Sequence, residues 1–107
     1  MESYLSGDAT LILSLLECKY YDKAHHYIRR GIAQDNLISY RYLAYCYENG
    51  YGVKKNIKEA FIYYKEAALK DDYISLLRYA ELGVEGYGKK EDIDILINKL
   101  LMKNIKK

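Results

Sequence analysis

The sequence predicts an all-α protein made of stacked helix pairs, and three observations lead to this fold class. The chain repeats itself at a spacing of 36 residues, its apolar residues recur at the three- and four-residue spacing of helix faces, and glycine-bearing turns separate successive helices. None of these helices could bury its apolar side alone, whereas stacked pairs would cover every apolar stripe. We therefore expect six helices in three pairs.

The internal repeat is clearest between the second and third units. A shift of 36 positions superimposes these identical residues: Asp35 on Asp71, Ile38 on Ile74, Ser39 on Ser75, Ala44 on Ala80, Gly50 on Gly86, Tyr51 on Tyr87, Gly52 on Gly88, Lys54 on Lys90 and Ile57 on Ile93. The same shift carries Ala24 onto Ala60 and Tyr27 onto Tyr63, which indicates a more divergent first copy. We expect one domain over residues 1–107, with repeats at about 5–35, 36–70 and 71–107, the last ending in a capping helix.

The bounds of individual helices follow from caps and apolar periodicity. In the first unit, Asp8 is a good N-cap for a helix that reaches about residue 19, and a short turn leads to a second helix over residues 23–33. The second unit predicts a helix through Tyr47 and an amphipathic helix over about 57–69. The third predicts helices over about 73–84 and 91–103. Gly50 can adopt the left-handed conformation that ends a helix.

Composition and charge restrict the possible classes of function. Half of the 107 residues are hydrophobic and 30% are charged, which is typical of a globular domain. The formal net charge is +2, from 17 basic and 15 acidic residues, so neither nucleic acid nor an anionic membrane is an expected partner. The longest apolar run, residues 9–16, is much shorter than the roughly 20 residues of a membrane helix and lacks signal-peptide features. We expect a cytoplasmic protein.

Two motifs that could suggest chemistry have simpler structural interpretations. Residues 50–55 combine glycines and lysines, but the loop lacks the preceding strand and the full spacing of a phosphate-binding loop. We therefore interpret the glycines as residues that separate two helices. His25 and His26 are adjacent on a helix and point roughly 100 degrees apart, so they cannot chelate one metal ion. We predict a surface or packing role for both histidines.

The acidic and sulfur-containing groups are likewise predicted to be structural. Glu91, Asp92 and Asp94 begin the last helix, where the helix dipole favours acids. Cys18 and Cys46 lie among apolar helix positions without a histidine partner, which favours two buried, reduced and inert thiols. We therefore predict no catalytic residues, no cofactor and no metal site.

Seven of the 14 tyrosines fall into two groups with different predicted roles. Five are expected to pack against neighbouring helices, namely Tyr42, Tyr47, Tyr63, Tyr64 and Tyr79. Tyr51 and Tyr87 occupy the same turn position in two repeats, between glycines, so we expect them to be exposed and available to a partner.

A stretch of the second unit resembles the SEL-one-like repeat, a relative of the tetratricopeptide repeat with a longer glycine-bearing turn. The matching residues are Leu43, Ala44, Tyr47, Gly50, Gly52 and Val53, followed by Ala60, Tyr63, Tyr64, Ala67 and Ala68. The third copy departs from the pattern at Lys89 and Leu96, and the first lacks the glycine turn and is closer to a tetratricopeptide unit. The resemblance implies a right-handed α-α superhelix of antiparallel pairs and a general role in binding proteins or peptides, and it implies no chemistry.

First helices line the concave side of such a stack, which adds candidates for partner contact on repeats two and three. The full predicted set of partner-binding residues is Arg41, Tyr45, Tyr51, Arg78, Glu81 and Tyr87.

The function predicted from these features is non-enzymatic binding of another protein. The most concrete version is a small bacterial immunity or inhibitor protein that neutralises a toxin encoded next to it, a hypothesis based on a small repeat domain with no predicted signal, membrane anchor or second domain. The alternative is a regulatory adaptor or scaffold that binds a peptide or signalling protein in its concave groove. A hydrolase, as has been claimed for secreted relatives of the family, is the least favoured hypothesis.

Overall fold

The protein is helical along the part of the chain that the structure describes. In this computed structural model the backbone is described for residues 2–105 and the side chains for residues 9–103. The six helices are α1 (Glu2–Glu17), α2 (Tyr21–Ala33), α3 (Leu37–Asn49), α4 (Ile57–Leu69), α5 (Tyr73–Leu82) and α6 (Lys90–Ile105). Each helix packs against the next one in the chain, so the predicted all-α stack of helix pairs is confirmed.

The second helix pair is defined by local capping residues. The side chains of Asn36 and Asn56 accept hydrogen bonds from the backbone amides of Ile38 (2.9 Å) and Glu59 (3.1 Å), which begins α3 and α4. Gly50 adopts φ 74° and ψ 36°, the left-handed conformation predicted to end α3. The predicted bounds of α4 agree with the structure.

The first pair begins earlier than the sequence suggested. The backbone is already helical from Glu2, so Asp8 lies inside α1 and the prediction that it caps this helix is wrong. Aspartate is tolerated inside a helix, and the one glycine before it costs only about 1 kcal/mol, so neither residue has to end the helix. The chain then turns at Lys19, which has φ 66°, and α2 begins at Tyr21.

The turn of the third unit differs from that of the second. Helix α5 ends at Leu82, and residues Gly83–Tyr87 continue as a wider π-helical turn in which Gly86 has φ 104°. A Cβ atom on Gly83 would lie 1.9 Å from Cδ1 of Ile93. The glycine therefore lets the first turn of α6 pack directly against the backbone here. As an α-helix, α5 ends at Leu82, before its predicted bound of about residue 84.

Two apolar clusters hold the stack together, and α3 belongs to both. Cys46 packs in the cluster of the first two helix pairs, with Ile12, Leu16 and Ile28, whereas Ala44 packs in the cluster of the last two pairs. Four alanines on α3 and α4 are fully buried: Ala44, Ala60, Ala67 and Ala68.

The outer surface of α6 is partly apolar. Ile93, Leu96 and Leu100 are buried, but the exposed part of the helix includes Ile95 and Met102. The last helix therefore does not present the uniformly polar outer face that closes a helical stack.

Among the described helices, none combines the length and apolar character needed to cross a lipid bilayer.

Candidate protein-binding groove

A groove of about 480 Å³ runs along the face formed by the first helix of each pair. Helices α1, α3 and α5 provide its sides and α4 contributes Tyr64 from below. The lining residues are Leu13, Arg41, Tyr42, Tyr45, Glu48, Asn49, Tyr64, Ile74, Leu77, Arg78 and Glu81. First helices thus line this groove, as the family resemblance implied for the concave side.

The walls of the groove are largely apolar and open to water. Ile74 and Leu77 on α5 are 61% and 64% exposed, and they lie three residues apart on one face of that helix. Leu13 on α1 and Tyr45 on α3 are also exposed. Because burial of such side chains is favourable, these walls offer binding free energy to an apolar occupant.

The floor of the groove contains a carboxylate with two donors. Glu48 accepts a hydrogen bond from the hydroxyl of Tyr64 (2.8 Å) and another from the guanidinium of Arg78. Burial alone would raise the pKa of Glu48, but the bonds from Arg78 and Tyr64 outweigh it and lower that pKa below its ordinary value. The pKa of Tyr64 is raised, chiefly by burial and then by its bond to Glu48. Glu48 is therefore ionised and Tyr64 neutral at physiological pH.

A second ion pair joins the second and third repeats. Arg41 donates from Nε to Asp72 (2.9 Å) and from Nη2 to the other carboxylate oxygen (3.4 Å). Ser75 donates its hydroxyl to the same carboxylate at 2.5 Å. Arg78 in turn donates to Glu81 at 3.0 Å. Both guanidinium groups of the groove are thus paired inside the chain, and the groove presents little unpaired charge.

Four of the six predicted partner-binding residues lie together in this groove. These are Arg41, Tyr45, Arg78 and Glu81. Tyr87 is exposed as expected, but it lies outside the lining of the groove.

Tyr51 does not match its predicted exposure. Its ring is half-buried, stacked on Tyr21 at 5.4 Å between centroids and edge-on to Tyr45 at 5.7 Å. Its carbonyl oxygen accepts a hydrogen bond from Nε2 of His25 at 2.8 Å, and a Cβ on Gly52 would lie 2.8 Å from the same imidazole. The turn after α3 therefore packs against α2. This contact joins two repeats, so the position of Tyr51 within its own repeat does not predict it.

Several groove residues were not predicted from the sequence, although the spacing of residues on α3 carried a signal for one of them. Arg41, Tyr45 and Glu48 are spaced by four and three residues, so they share one helix face, and this spacing would have placed Glu48 beside the two candidates. Leu13, Ile74 and Leu77 were not predicted as partner-binding residues. Exposed and buried aliphatic residues alternate along their helices, so the sequence does not show which of them face the groove.

The tyrosines and histidines with a predicted structural role differ in how deeply they are buried. Tyr64 and Tyr79 are buried, while Tyr42, Tyr47 and Tyr63 are half-buried, in line with the packing role predicted for all five. His25 is buried and His26 is exposed, the latter with its ring edge-on to the ring of Tyr27.

The two thiols occupy different environments. Cys46 is fully buried, and burial raises the pKa of its thiol to about 12, so this thiol stays protonated. Cys18 is exposed, so its predicted burial is wrong. It follows the last residue of α1 and therefore lies beyond the apolar stripe of that helix. Within residues 9–103, no three His, Cys, Asp or Glu side chains converge in a way that could hold a metal ion.

The fold and groove together define a helical-repeat protein. The model of the Sel1 repeat family matches residues 37–72, which include α3, the glycine turn and α4. The chain is also similar to an uncharacterised Sel1-like repeat-containing protein of the fission yeast Schizosaccharomyces pombe, with 43% identity over 51 residues. That alignment covers 48% of this chain and 8% of the relative, so the chain corresponds to a small part of that protein. No solved structure matches the chain.

The chain therefore carries a Sel1 repeat, and the family resemblance predicted from its sequence is confirmed. Sel1 repeats are helical modules that generally mediate binding to other proteins.

Proposed function

We propose that this protein is a non-enzymatic binding module that holds a segment of another protein in the groove between α1, α3 and α5. The observation that carries the proposal is the groove itself, with exposed aliphatic side chains on its walls and ion-paired side chains on its floor. The Sel1 repeat at residues 37–72 supports the same class of function.

The chemistry of the groove favours an occupant with apolar side chains. Leu77 and Ile74 are exposed, so an apolar group of a partner that covers them would gain favourable free energy from their burial. A charged group on the floor of the groove would compete with the ion pairs of Arg78 and Arg41, and breaking either pair would leave a partly buried charge unpaired. We infer that aliphatic or aromatic residues of the partner enter the groove and that polar contacts form at its rim.

Site-specific photo-crosslinking tests this proposal in the cell. A photoreactive amino acid at position 77 should yield a discrete crosslinked partner, because this position lies in the groove. The same amino acid at position 62, which is exposed on α4 outside the groove, serves as the control. Identical crosslinks from both positions would contradict binding in the groove.

A matched pair of variants then measures the binding to that partner. Leu77→Asp should weaken it by at least about tenfold, since a buried unpaired carboxylate is costly. Ile62→Asp should leave the affinity unchanged. Leu77 is 64% exposed and Ile62 is 49% exposed, so neither substitution is expected to unfold the protein. Equal affinity of both variants would exclude the groove as the binding site.

The two functions predicted from the sequence are distinguished by the occupant of the groove. An immunity or inhibitor protein, acting in the cytoplasm, would bind one toxin stoichiometrically. Co-expression with the product of the adjacent open reading frame should then restore growth and yield a stable complex, and Leu77→Asp should abolish both effects.

A regulatory adaptor would instead bind short apolar peptides. Its affinities should be micromolar and similar among several sequences. A neighbouring gene product that neither associates with the protein nor affects growth would exclude the immunity version and leave the adaptor to be tested with peptide libraries.

A further inference from the structure

A second apolar depression, of about 520 Å³, lies at the C-terminal end of the helical stack. It lies between the last turn of α5 and the first half of α6. The residues that form it include Ala80, Val84, Ile93 and Ile97. It shares no lining residue with the groove of α1, α3 and α5.

The internal repeat shows which kind of structure covers this depression. A shift of 36 positions places Val84, Ile93 and Ile97 on Glu48, Ile57 and Phe61 of the second unit. In that unit the equivalent surface is covered by α5. The ring of Tyr79 stacks on Phe61 with centroids 4.6 Å apart, and Arg78 pairs with Glu48.

Exposure differs sharply between the covered and uncovered copies of this surface. The side chain of Glu48 is 16% exposed, whereas Val84 is 89% exposed. Ala44 is fully buried, whereas Ala80 is only partly buried. The third unit therefore presents the surface that receives a helix in the second unit, without that helix among the described residues.

The chemistry of the depression has also changed between the two units. Valine replaces the carboxylate that binds Arg78, and isoleucine replaces the ring that stacks on Tyr79. Among the described residues that line the depression, the charged ones are Lys90 and Asp94, which pair with each other at 3.0 Å. A helix with an apolar residue at the position of Arg78 thus fits this surface better than α5 itself would.

We propose that the surface formed by Ala80, Val84, Ile93 and Ile97 is a second protein-binding site, which takes an amphipathic helix of a partner protein. The helix packs as α5 packs on the second unit, with an aromatic side chain against Ile97 and an aliphatic side chain one position earlier against Val84. This site is independent of the groove proposed above.

A peptide with the sequence of α5 is a direct probe of the proposal. The peptide spans residues 71–84, is stapled across positions 73 and 77 to hold the helix, and is made with Arg78 or with Arg78→Leu. Each version is fluorescently labelled and titrated against the unmodified protein and its Val84→Glu variant. The Arg78→Leu peptide should bind the unmodified protein about tenfold more tightly than Val84→Glu, because the new carboxylate would be buried without a partner. The peptide that retains Arg78 should show the reverse preference.

Two controls assign the binding to this surface. Ile62→Glu introduces the same charge at an exposed position on α4 and should not alter either affinity. Leu77→Asp, which disables the groove, should also leave peptide binding intact, so that failure of this site and failure of the groove are distinguishable.

Three outcomes would overturn the proposal. The first is no binding of the Arg78→Leu peptide at millimolar concentration, and the second is equal binding to the unmodified protein and Val84→Glu. The third is a dimer of the unmodified protein in light scattering that Val84→Glu dissociates, because a second copy of the chain would then occupy the surface.

Discussion

Glu48 connects three helices through one carboxylate. It lies on α3, accepts the hydroxyl of Tyr64 from α4 and pairs with Arg78 from α5. Charge-assisted hydrogen bonds of this kind are stronger than neutral ones, and they matter more when the acceptor is shielded from water. This side chain therefore fixes the floor of the groove as well as the spacing of the second and third repeats.

We expect Glu48→Gln to destabilise the protein by about 1–2 kcal/mol at pH 7, because the charged acceptor is lost while the shape is kept. The pKa of Glu48 is lowered in the folded state, so its contribution is complete above the unfolded pKa of about 4.3 and is lost as the pH falls through the folded value. The difference in unfolding free energy between the two proteins, measured by urea denaturation, should shrink in acid. Glu81→Gln, at a half-exposed carboxylate, should cost at most about 0.5 kcal/mol at any pH. A pH-independent difference for Glu48→Gln would contradict the ionised role.

Individual side chains also show where sequence reasoning reaches its limit. Arg41 and Tyr45 could be placed in the groove because helix periodicity fixes which residues share a face. The burial of Tyr51 could not be predicted, since it depends on contacts with Tyr21 and His25 in the preceding repeat. The partner of Arg41 likewise lies 31 residues away, so local spacing does not reveal it.

Helices were more predictable than their ends. The bounds of α4 followed from its apolar stripe, and the structure adds that Asn56 caps its start. The start of α1 did not, because an aspartate that resembles an N-cap also fits inside a helix. Ile93 closely approaches Gly83 at the start of the wide turn after α5, and the repeat pattern of Gly86 and Gly88 does not encode this contact.

The contact between α2 and α3 is closer than its counterpart between α4 and α5. Gly31 faces Ser39 across the first contact, and a Cβ on Gly31 would lie 1.6 Å from Oγ and 2.6 Å from Cβ of Ser39. The residues equivalent by the 36-residue shift are Ala67 and Ser75, so the second contact holds an additional methyl group. Glycine at position 31 is therefore required by packing, since α2 is helical there and needs no left-handed residue.

Gly31→Ala should consequently destabilise the protein by about 1–3 kcal/mol through overpacking, even though alanine is favoured in helices by about 1 kcal/mol. Thermal or urea denaturation measures the change. Ser39→Gly in the same chain should recover part of the loss, because it removes the side chain that the new methyl group meets. Arg29→Ala, at an exposed position of α2, should change stability by less than about 0.5 kcal/mol. A stabilised Gly31→Ala protein would show that helix propensity outweighs the contact.

The molecule as a whole is divided between two apolar clusters that share α3. Because stability in helical repeats arises mainly within units and between neighbours, damage to one cluster should act locally. Helix α5 contributes to both the groove and the end surface, although the two sites share no lining residue.

Hydrogen exchange on two matched variants tests this division. Ile28 is fully buried in the cluster of the first two pairs, and Leu96 is nearly so in the cluster of the last two. Truncation of either residue to alanine should cost about 2–5 kcal/mol. Ile28→Ala should accelerate amide exchange mainly in α1 and α2, whereas Leu96→Ala should do so mainly in α5 and α6, as expected for local opening. Mass spectrometry of exchanged peptides resolves these segments. Uniform acceleration along the chain in both variants would instead show that all six helices open as a single cooperative unit.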